Sequence, residues 1–277
     1  MVSLLILGLG WSGTFLVELL EAQEQKEFSY VATTRDGRNN TITWSLGDDP
    51  SSVHVDTLPA ADTVLVTFPV KDPAMMKALM VAYNEIQPTA QWILLSSTRP
   101  FTHPTNDRHS PLDISKDTGR MPAEQVLLER QGTVLHLAGL WGAQRQPKNW
   151  VSRFPTKDAL KNKLLVRQLH LIHGKDVARA ILAVHIGFKK NNAMGQRWIV
   201  TDGGCYDWLK LFSTWASSDQ LETLQDLLDH DHQVQQIWGK GQTLNSLIEQ
   251  SGILPRLDSH EFWQTFELQP KEFLSVV

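Results

Sequence analysis

Three glycines near the start of the sequence have the spacing of a phosphate-binding loop. Gly8, Gly10 and Gly13 follow an apolar run of strand length and precede an amphipathic pattern of helical period. Gly8 permits a tight turn, Gly10 lets a diphosphate approach the backbone, and Gly13 allows the helix to pack closely on the strand. The helix N-terminus, at Trp11 and Ser12, favours bound phosphate. The spacing therefore predicts a dinucleotide site, and the alternative is a glycine turn without a ligand.

The end of the second predicted strand could distinguish between two dinucleotides. This strand, residues 28–34, ends at Thr34 and is followed by Arg35. In dinucleotide folds this position faces the adenine ribose, where NAD-binding proteins usually place an acidic residue. A guanidinium beside hydroxyl groups suits the 2′-phosphate of NADP, so we expect NADP. NAD remains the alternative because Asp36 lies one residue further on, and a solvated turn is the other reading of Arg35 and Arg38.

Two further strand-length runs end in residues that could contact a cofactor or a substrate. They span residues 61–69 and 90–98. The end residues are Phe68 and Pro69 in the first run, and Ser96, Ser97 and Thr98 in the second. Because parallel strands share one carboxyl edge, and ligands bind at that edge, we expect these residues to lie near the glycine loop. Ser97 or Thr98 could hydrogen-bond a substrate carbonyl.

The stretch from Arg99 to Asp117 is polar and contains His103 and His109. It predicts either a surface loop or a loop that covers a substrate. The spacing of its histidines and acidic residues does not match a metal site, so we expect no metal.

The remaining pattern predicts the other elements of an α/β fold. Helices are expected at residues 73–86 and 122–130 and from an N-cap at Asp176. Short strands are expected at 41–44, 53–55 and 196–201, and the run 132–142 predicts one strand that leads into a glycine-bounded loop. After Tyr206 the pattern is mostly helical. We therefore expect a Rossmann-type doubly wound parallel sheet over residues 1–150, to which 165–205 return. A smaller, mostly helical substrate or partner region would follow over 151–277.

Composition restricts the partners and the compartment. The chain has 277 residues and a net charge of −4, so it has no basic bias that would suggest nucleic acid. No apolar run reaches the roughly 18 residues that a membrane span needs. Its single cysteine, Cys205, cannot form an internal disulfide, which favours a reducing, cytoplasmic compartment. We expect a small-molecule substrate as the partner, and the sequence also allows a homodimer.

Five stretches occur in an order that resembles one family. They are Gly8–Gly13, Leu94–Thr98, Leu135–Gly142, Leu171–Ala178 and Gly195–Thr201. Together they resemble the extended short-chain dehydrogenase/reductase superfamily of the NAD-dependent epimerase/dehydratase type, and most of all its atypical, shorter bacterial-type members. The resemblance covers about residues 1–215 and, more loosely, residues 240–255. It implies a nicotinamide cofactor across the strand ends, contacted by Phe68 and Pro69, with Ser96 to Thr98 near the nicotinamide and Ala138, Gly139 and Leu140 behind its ring.

The sequence departs from this family at its catalytic pair. Active members carry Tyr-x-x-x-Lys, in which the tyrosine is the general acid/base and the lysine lowers the tyrosine pKa. The chain has three tyrosines, and none stands in that position. By the resemblance, Arg120 takes the place of the lysine, where it could hold a ribose or a phosphate, and Glu124 resembles an acidic residue that is common just after it. A proton would come from Asp117, His103, His109 or water.

Two functions follow from these residues. The first is an enzyme, an NADP-dependent oxidoreductase or epimerase that acts on a small carbonyl or sugar-like substrate, with Ser97, Thr98 and Arg120 in the catalytic site. The second is a catalytically inactive NADP-binding sensor or scaffold, which the missing tyrosine would explain. A Rossmann-type methyltransferase is disfavoured because the second strand lacks an acidic end.

Overall fold

The computed structural model describes residues 1–22, 27–250 and 252–276. Its strands are β1 (Val2–Leu7), β2 (Tyr30–Thr34), β3 (Ile42–Thr43), β4 (Ala61–Val66), β5 (Gln91–Ser97), β6 (Thr133–Leu137), β7 (Gly139–Trp141), β8 (Gln168–Leu169), β9 (Leu171–His173), β10 (Arg197–Val200) and β11 (Tyr206–Asp207). Seven of them form a parallel sheet in the order β3-β2-β1-β4-β5-β6-β10. Two small pairs, β7 with β9 and β8 with β11, lie outside it.

Helices cover both faces of the sheet and form most of the C-terminal region. They are α1 (Gly10–Glu21), α2 (Pro73–Asn84), α3 (Met121–Glu129), α4 (Lys157–Leu165), α5 (Gly174–Phe188), α6 (Trp208–Trp215), α7 (Ser218–His230), α8 (His232–Trp238), α9 (Leu244–Glu249) and α10 (His260–Thr265). Short 3₁₀ helices span Pro50–Ser52, Ile114–Lys116 and Pro147–Arg153. No helix among the described residues has the length and apolar character that a membrane span requires.

The alternation of side chains along β1 explains the two layers of the core. Leu4 and Ile6 belong to the apolar cluster that contains Phe15 of α1 and the buried face of α5. Leu5 and Leu7 belong to the opposite cluster, which contains the buried faces of α2 and α3. A parallel strand buried on both faces reads as a continuous apolar run, which is the pattern in the sequence. The expected α/β fold with a doubly wound parallel sheet is confirmed.

The C-terminal region has a small apolar core of its own. Helices α4, α6, α7, α8 and α9 surround it, with Leu164, Phe212 and Leu228 at zero exposure. This confirms the smaller, mostly helical region. The last helix, α10, leaves that core and returns to the sheet, where Phe262 and Trp263 join the cluster of α1 and α5.

Three local predictions are wrong. Residues 53–55 form no strand, and the His54 carbonyl instead accepts a hydrogen bond from the Trp44 indole at 2.7 Å. The run 132–142 is two strands, because the chain leaves the main sheet after Leu137 and β7 pairs with β9. Helix α5 begins at Gly174 with His173 as its N-cap, so Asp176 lies inside the first turn and caps nothing.

Candidate active site

The glycine loop lies between the ends of β2 and β4, at the point where the strand order of the sheet reverses. Gly8 and Gly10 have φ of +82° and +40°, values that favour glycine. A Cβ on Gly8 would lie 2.9 Å from the Phe68 ring, whereas a Cβ on Gly10 would meet only the Thr67 hydroxyl, at 3.9 Å. Gly8 is therefore fixed by packing, and Gly10 faces open space. On Gly13, a Cβ would lie 3.3 Å from Ile6, so the helix packs closely on β1.

Hydrogen bonds from both neighbouring strands hold this loop in place. The Gly8 N–H donates to the Thr33 hydroxyl at 2.9 Å, and the Leu9 N–H donates to the Thr33 carbonyl at 2.7 Å. From the other side, the Thr67 hydroxyl donates to the Gly8 carbonyl. Among the described residues no side chain caps α1, and its first turn carries no acidic group. The first N–H groups of α1, at Trp11 and Ser12, therefore remain available to an anion.

Gly8, Gly10 and Gly13, together with the first N–H groups of α1, form a cradle that fits a dinucleotide diphosphate. Its one unfilled Cβ position, at Gly10, lies next to an uncapped helix N-terminus whose dipole favours negative charge. A large side chain at Gly10 would close the space that a phosphate needs.

Two arginines follow β2, and within the part of the chain that the structure describes only Arg38 has a partner. Arg38 is paired with Asp36 at 3.2 Å, and hydrogen bonding, chiefly from Thr34, lowers the pKa of Asp36. The Thr34 hydroxyl also lies 2.6 Å from that of Thr41. Arg35 is exposed, and within the described chain it has no hydrogen bond or ion pair. Arg35 lines a cavity of about 340 Å³ with Thr43, Ser45 and His54.

Four residues predicted to contact the nicotinamide half lie in two places, the segment after β4 and strand β7. Phe68 follows β4 and touches the glycine loop, and Pro69 comes next to it. Gly139 and Leu140 lie on β7, where a Cβ on Gly139 would come within 2.9 Å of Leu171. Gly139 is thus required by packing alone, and contacts of these four residues with a cofactor stay predictions.

The three hydroxyl residues at the end of β5 have different surroundings. Ser96 is 8% exposed, and its hydroxyl donates to the buried carboxylate of Glu124. Ser97 and Thr98 are half-buried, and the Ser97 hydroxyl accepts a bond from the Arg99 N–H at 3.3 Å. Since the Ser96 hydroxyl is already engaged inside the protein, Ser97 and Thr98 are better placed to bind a substrate oxygen.

Arg120 stands at the start of α3, and Asp117, three residues earlier, holds its backbone. The Asp117 carboxylate accepts the N–H groups of Arg120 and Met121 at 3.0 and 3.1 Å. Asp117 therefore fixes the backbone at the start of α3, a structural role that competes with proton donation. The Arg120 guanidinium is partly buried, and its Nε has no hydrogen-bond partner in the described chain. Gly119 lies against the stem of Lys71, which brings this end of α3 beside the loop that follows β4.

Each of the three tyrosine hydroxyls has a partner away from the end of β5. Tyr30 donates to Glu21, Tyr83 donates to the Pro59 carbonyl, and Tyr206 donates to Asp202. Burial is the main cause that raises the pKa of Tyr83 to about 12, and a hydrogen bond to Glu21 is the main cause for Tyr30, also to about 12. These hydroxyls are weaker acids than a free tyrosine and are poor replacements for the missing catalytic residue.

The loop after β5 is tied to the C-terminal segment. The Arg256 guanidinium donates to the Thr102 carbonyl at 2.6 Å, and the Asn106 N–H donates to the Arg256 carbonyl at 2.7 Å. His109 is exposed and pairs with Glu261 at 3.2 Å, and His103 is also exposed. In the described chain no group of histidine, cysteine and acidic residues could hold a metal ion.

A larger cavity lies beside this loop, away from the glycine cradle. It has a volume of about 1420 Å³. Its lining consists of residues 105–107 and 110 of the loop, Arg179, Gly203, and residues 255–260, 263–264, 267–271 and 273. Among the described residues that line this cavity, none is predicted for cofactor binding or catalysis, so the cavity is separate from the glycine loop.

Two buried polar residues lie beneath the end of β5. The sequence did not point to His136, and it indicated Glu124 only as an acidic residue similar to one in the family. His136, on β6, is fully buried, and Glu124 of α3 is 2% exposed. The register pairs His136 with Ser96, so their side chains share one face of the sheet, and α3 places Glu124 over that face. A lone polar residue inside an apolar strand was the available signal for His136, but its neighbours depend on strand register.

Comparison with solved structures shows the fold. The chain resembles a conserved protein of unknown function from Silicibacter pomeroyi (17% identity, 98% of this chain and 94% of that chain, TM-score 0.62). It also resembles dTDP-glucose 4,6-dehydratase from Bacillus anthracis in complex with NAD (11%, 98% and 92%, 0.60) and RMD from Pseudomonas aeruginosa complexed with NADPH (14%, 99% and 94%, 0.57). No protein-family model and no curated protein sequence matches this chain.

Proposed function

We propose that this chain is an NADP-dependent oxidoreductase or epimerase that acts on a small carbonyl or sugar-like substrate and uses a proton source other than tyrosine. The observation that carries the proposal is the cradle at Gly10, with its open Cβ position beside an uncapped helix N-terminus. The NAD and NADPH complexes named among the structural neighbours support a nicotinamide cofactor.

The proposed roles divide the site into three parts. Gly8, Gly10 and Gly13, with the N–H groups of Trp11 and Ser12, hold the diphosphate. Phe68, Pro69, Gly139 and Leu140 enclose the nicotinamide half. When bound, the cofactor supplies hydride exchange with a carbon of the substrate.

The residues of the chain then position the substrate and balance charge. The Ser97 and Thr98 hydroxyls hydrogen-bond the substrate oxygen at the end of β5. Arg120 holds a ribose or a phosphate group and stays cationic throughout, because a guanidinium does not release its proton near neutral pH. The proton that the substrate oxygen gains or loses therefore passes through another group or through water.

An inactive NADP-binding sensor or scaffold is the second candidate. The engaged hydroxyls of all three tyrosines favour it, because the usual acid is then absent from the end of β5.

A binding and turnover experiment separates the two functions. NADPH should quench the tryptophan fluorescence of the protein, since Trp11 stands in the cradle. NADPH should then be oxidised in the presence of at least one member of a panel of aldehydes, ketones and nucleotide sugars. Binding without turnover across the panel would favour the sensor, and absence of dinucleotide binding would contradict both functions.

Cofactor choice is expected to depend on Arg35. Replacing Arg35 with alanine should weaken NADPH binding about 10- to 100-fold, because a hydrogen bond to a charged group is worth about 1.5–3 kcal/mol. NADH binding should change little. Fluorescence titration of both nucleotides measures the effect.

Arg38→Ala is the matched control, since that guanidinium is already paired with Asp36 in an exposed turn. It should leave both affinities within about twofold, as expected for an exposed ion pair. Equal losses in the two variants, or equal losses for NADH and NADPH in Arg35→Ala, would show that Arg35 does not read the 2′-phosphate.

A further inference from the structure

A buried polar pair lies directly beneath the end of β5. His136 of β6 and Glu124 of α3 face each other, with Nε2 and Oε2 3.6 Å apart. Their side chains are 0% and 3% exposed. In the described chain neither of these two atoms has a hydrogen-bond partner, and both are closed to solvent. Unpartnered buried polar atoms are costly, so two of them at short distance require an explanation.

The protonation of the imidazole follows from its other nitrogen. His136 Nδ1 lies 3.0 Å from the Ser97 carbonyl oxygen. A carbonyl oxygen only accepts, so Nδ1 must carry the hydrogen and donate it. In the neutral imidazole, Nε2 is then an acceptor with a lone pair.

The Glu124 carboxylate has no hydrogen to donate to this lone pair while it is ionised. Its Oε1 already accepts the Ser96 hydroxyl, and its Oε2 points at His136 Nε2. An ionised Glu124 and a neutral His136 would place two acceptors against each other, with both atoms closed to solvent. One proton removes the conflict, whether it is carried by Oε2 or by Nε2.

We infer that Glu124 and His136 share one buried proton at neutral pH and act as positioning residues beneath the candidate active site. The imidazole holds the Ser97 carbonyl, and the carboxyl group holds the Ser96 hydroxyl. Both anchors fix the backbone from which the Ser97 and Thr98 hydroxyls project. The positioning role rests on the proposed function, because it concerns that site, but the shared proton does not.

The surroundings of the pair are apolar on one side and cationic on the other. The Phe101 ring meets the imidazole edge at a centroid distance of 5.2 Å. Burial is the largest influence on His136 and lowers its pKa, and the charges of Arg197 and Arg120 act in the same direction. The charge of Glu124 and the hydrogen bond to the Ser97 carbonyl raise the His136 pKa. The case for a proton between the two groups rests on geometry, because the unpartnered atoms Nε2 and Oε2 lie 3.6 Å apart and are closed to solvent.

The shared proton makes stability depend on pH in a definite direction. In the unfolded chain, ordinary pKa values of about 4.3 and 6.5 leave both groups without a proton above about pH 7. The native pair holds one, so folding takes up a proton and stability falls as pH rises. The unfolding equilibrium constant should rise about tenfold per pH unit from this cause, until the native pair itself releases the proton.

Comparison with Glu124→Gln isolates this contribution. The glutamine amide can donate to His136 Nε2 and accept from Ser96, so it reproduces the protonated pair without a titratable proton. In urea unfolding from about pH 7 to about pH 8.5, the ratio of the wild-type to the Glu124→Gln unfolding constant should rise about tenfold per pH unit. Glu129→Gln, an exposed change on the same helix, should give a ratio with wild type that stays within about twofold.

A second measurement requires no variant. Nitrogen-15 NMR of the wild-type imidazole should show Nδ1 protonated and Nε2 shifted from the free-acceptor range toward the protonated range at pH 7. A Nε2 with the shift of a free acceptor, or a wild-type to Glu124→Gln ratio that does not change with pH, would overturn the inference. Failure of NADPH to bind would contradict the proposed function and leave these two results to decide on the proton.

Discussion

Replacing Gly10 with valine is expected to weaken NADPH binding at least about a hundredfold while the protein stays folded. The Cβ of residue 10 projects into open space beside the first turn of α1, where the proposed diphosphate approaches the backbone. The valine methyls would fill that space and break the bonds from the first N–H groups of α1. Losing two charge-assisted hydrogen bonds, each worth about 1.5–3 kcal/mol, accounts for the expected change. Fluorescence titration with NADPH measures it.

Gly241→Val is the control for Gly10→Val, because it introduces the same backbone strain away from the proposed binding site. Gly241 has φ of +73°, nothing lies within 4 Å of its Cβ position, and it stands between α8 and α9, far along the chain from the cradle. Both variants place a β-branched residue at positive φ and should lose stability by a similar amount, about 1–3 kcal/mol. Only the Gly10 variant should lose NADPH. A folded Gly10→Val protein with unchanged NADPH affinity would place the dinucleotide elsewhere.

The glycine loop was predictable because its signals are local. A strand-length apolar run, three glycines at fixed spacing and a helical pattern lie within about 20 residues, and each has a separate mechanical reason. The same holds for the strand ends at Phe68 and Ser97, since parallel strands must bring their carboxyl ends to one edge. Local pattern and global fold agree in this half of the chain.

The polar interior was not predictable because it depends on register and on distant segments. Ser96 was expected near the cofactor, which stays a prediction, but its spacing did not indicate that its hydroxyl donates to Glu124, 28 positions away on another element. His136 sits in an apolar strand, and only pairing with β5 reveals that it faces the same layer as Ser96. Spacing along the chain carries no information on which of two adjacent hydroxyls, at 96 or 97, faces a buried acid until the register is known.

The contacts of Asp176 also could not be predicted from local spacing, because they involve a distant segment of the chain. As an aspartate near a predicted helix start, it was expected to be an N-cap, but His173 takes that role. Asp176 is instead fully buried in the first turn of α5, where the helix dipole favours its charge. Its carboxylate binds the Arg179 guanidinium at 2.6 Å. The other oxygen accepts the N–H groups of Lys271 and Glu272, both at 2.9 Å, from the C-terminal segment.

Asp176→Ala is therefore expected to lower the free energy of unfolding by about 3–5 kcal/mol, the range for removing one partner of a buried ion pair. The substitution leaves a largely buried arginine without its anion and two backbone donors without an acceptor. Urea unfolding monitored by tryptophan fluorescence measures the loss. Hydrogen exchange should accelerate at the amides of Lys271 and Glu272, because their acceptor is the group removed.

Lys175→Ala provides the matched control, because Lys175 links the same helix to the same segment from the surface. Its ammonium pairs with Glu272 at 3.0 Å, and the lysine side chain is 63% exposed. Removing an exposed pair should cost less than about 1 kcal/mol and leave the exchange of the two amides nearly unchanged. The difference between the variants measures what burial adds to one carboxylate. If both cost the same, the C-terminal segment is held by its apolar contacts, and the buried carboxylate is not its anchor.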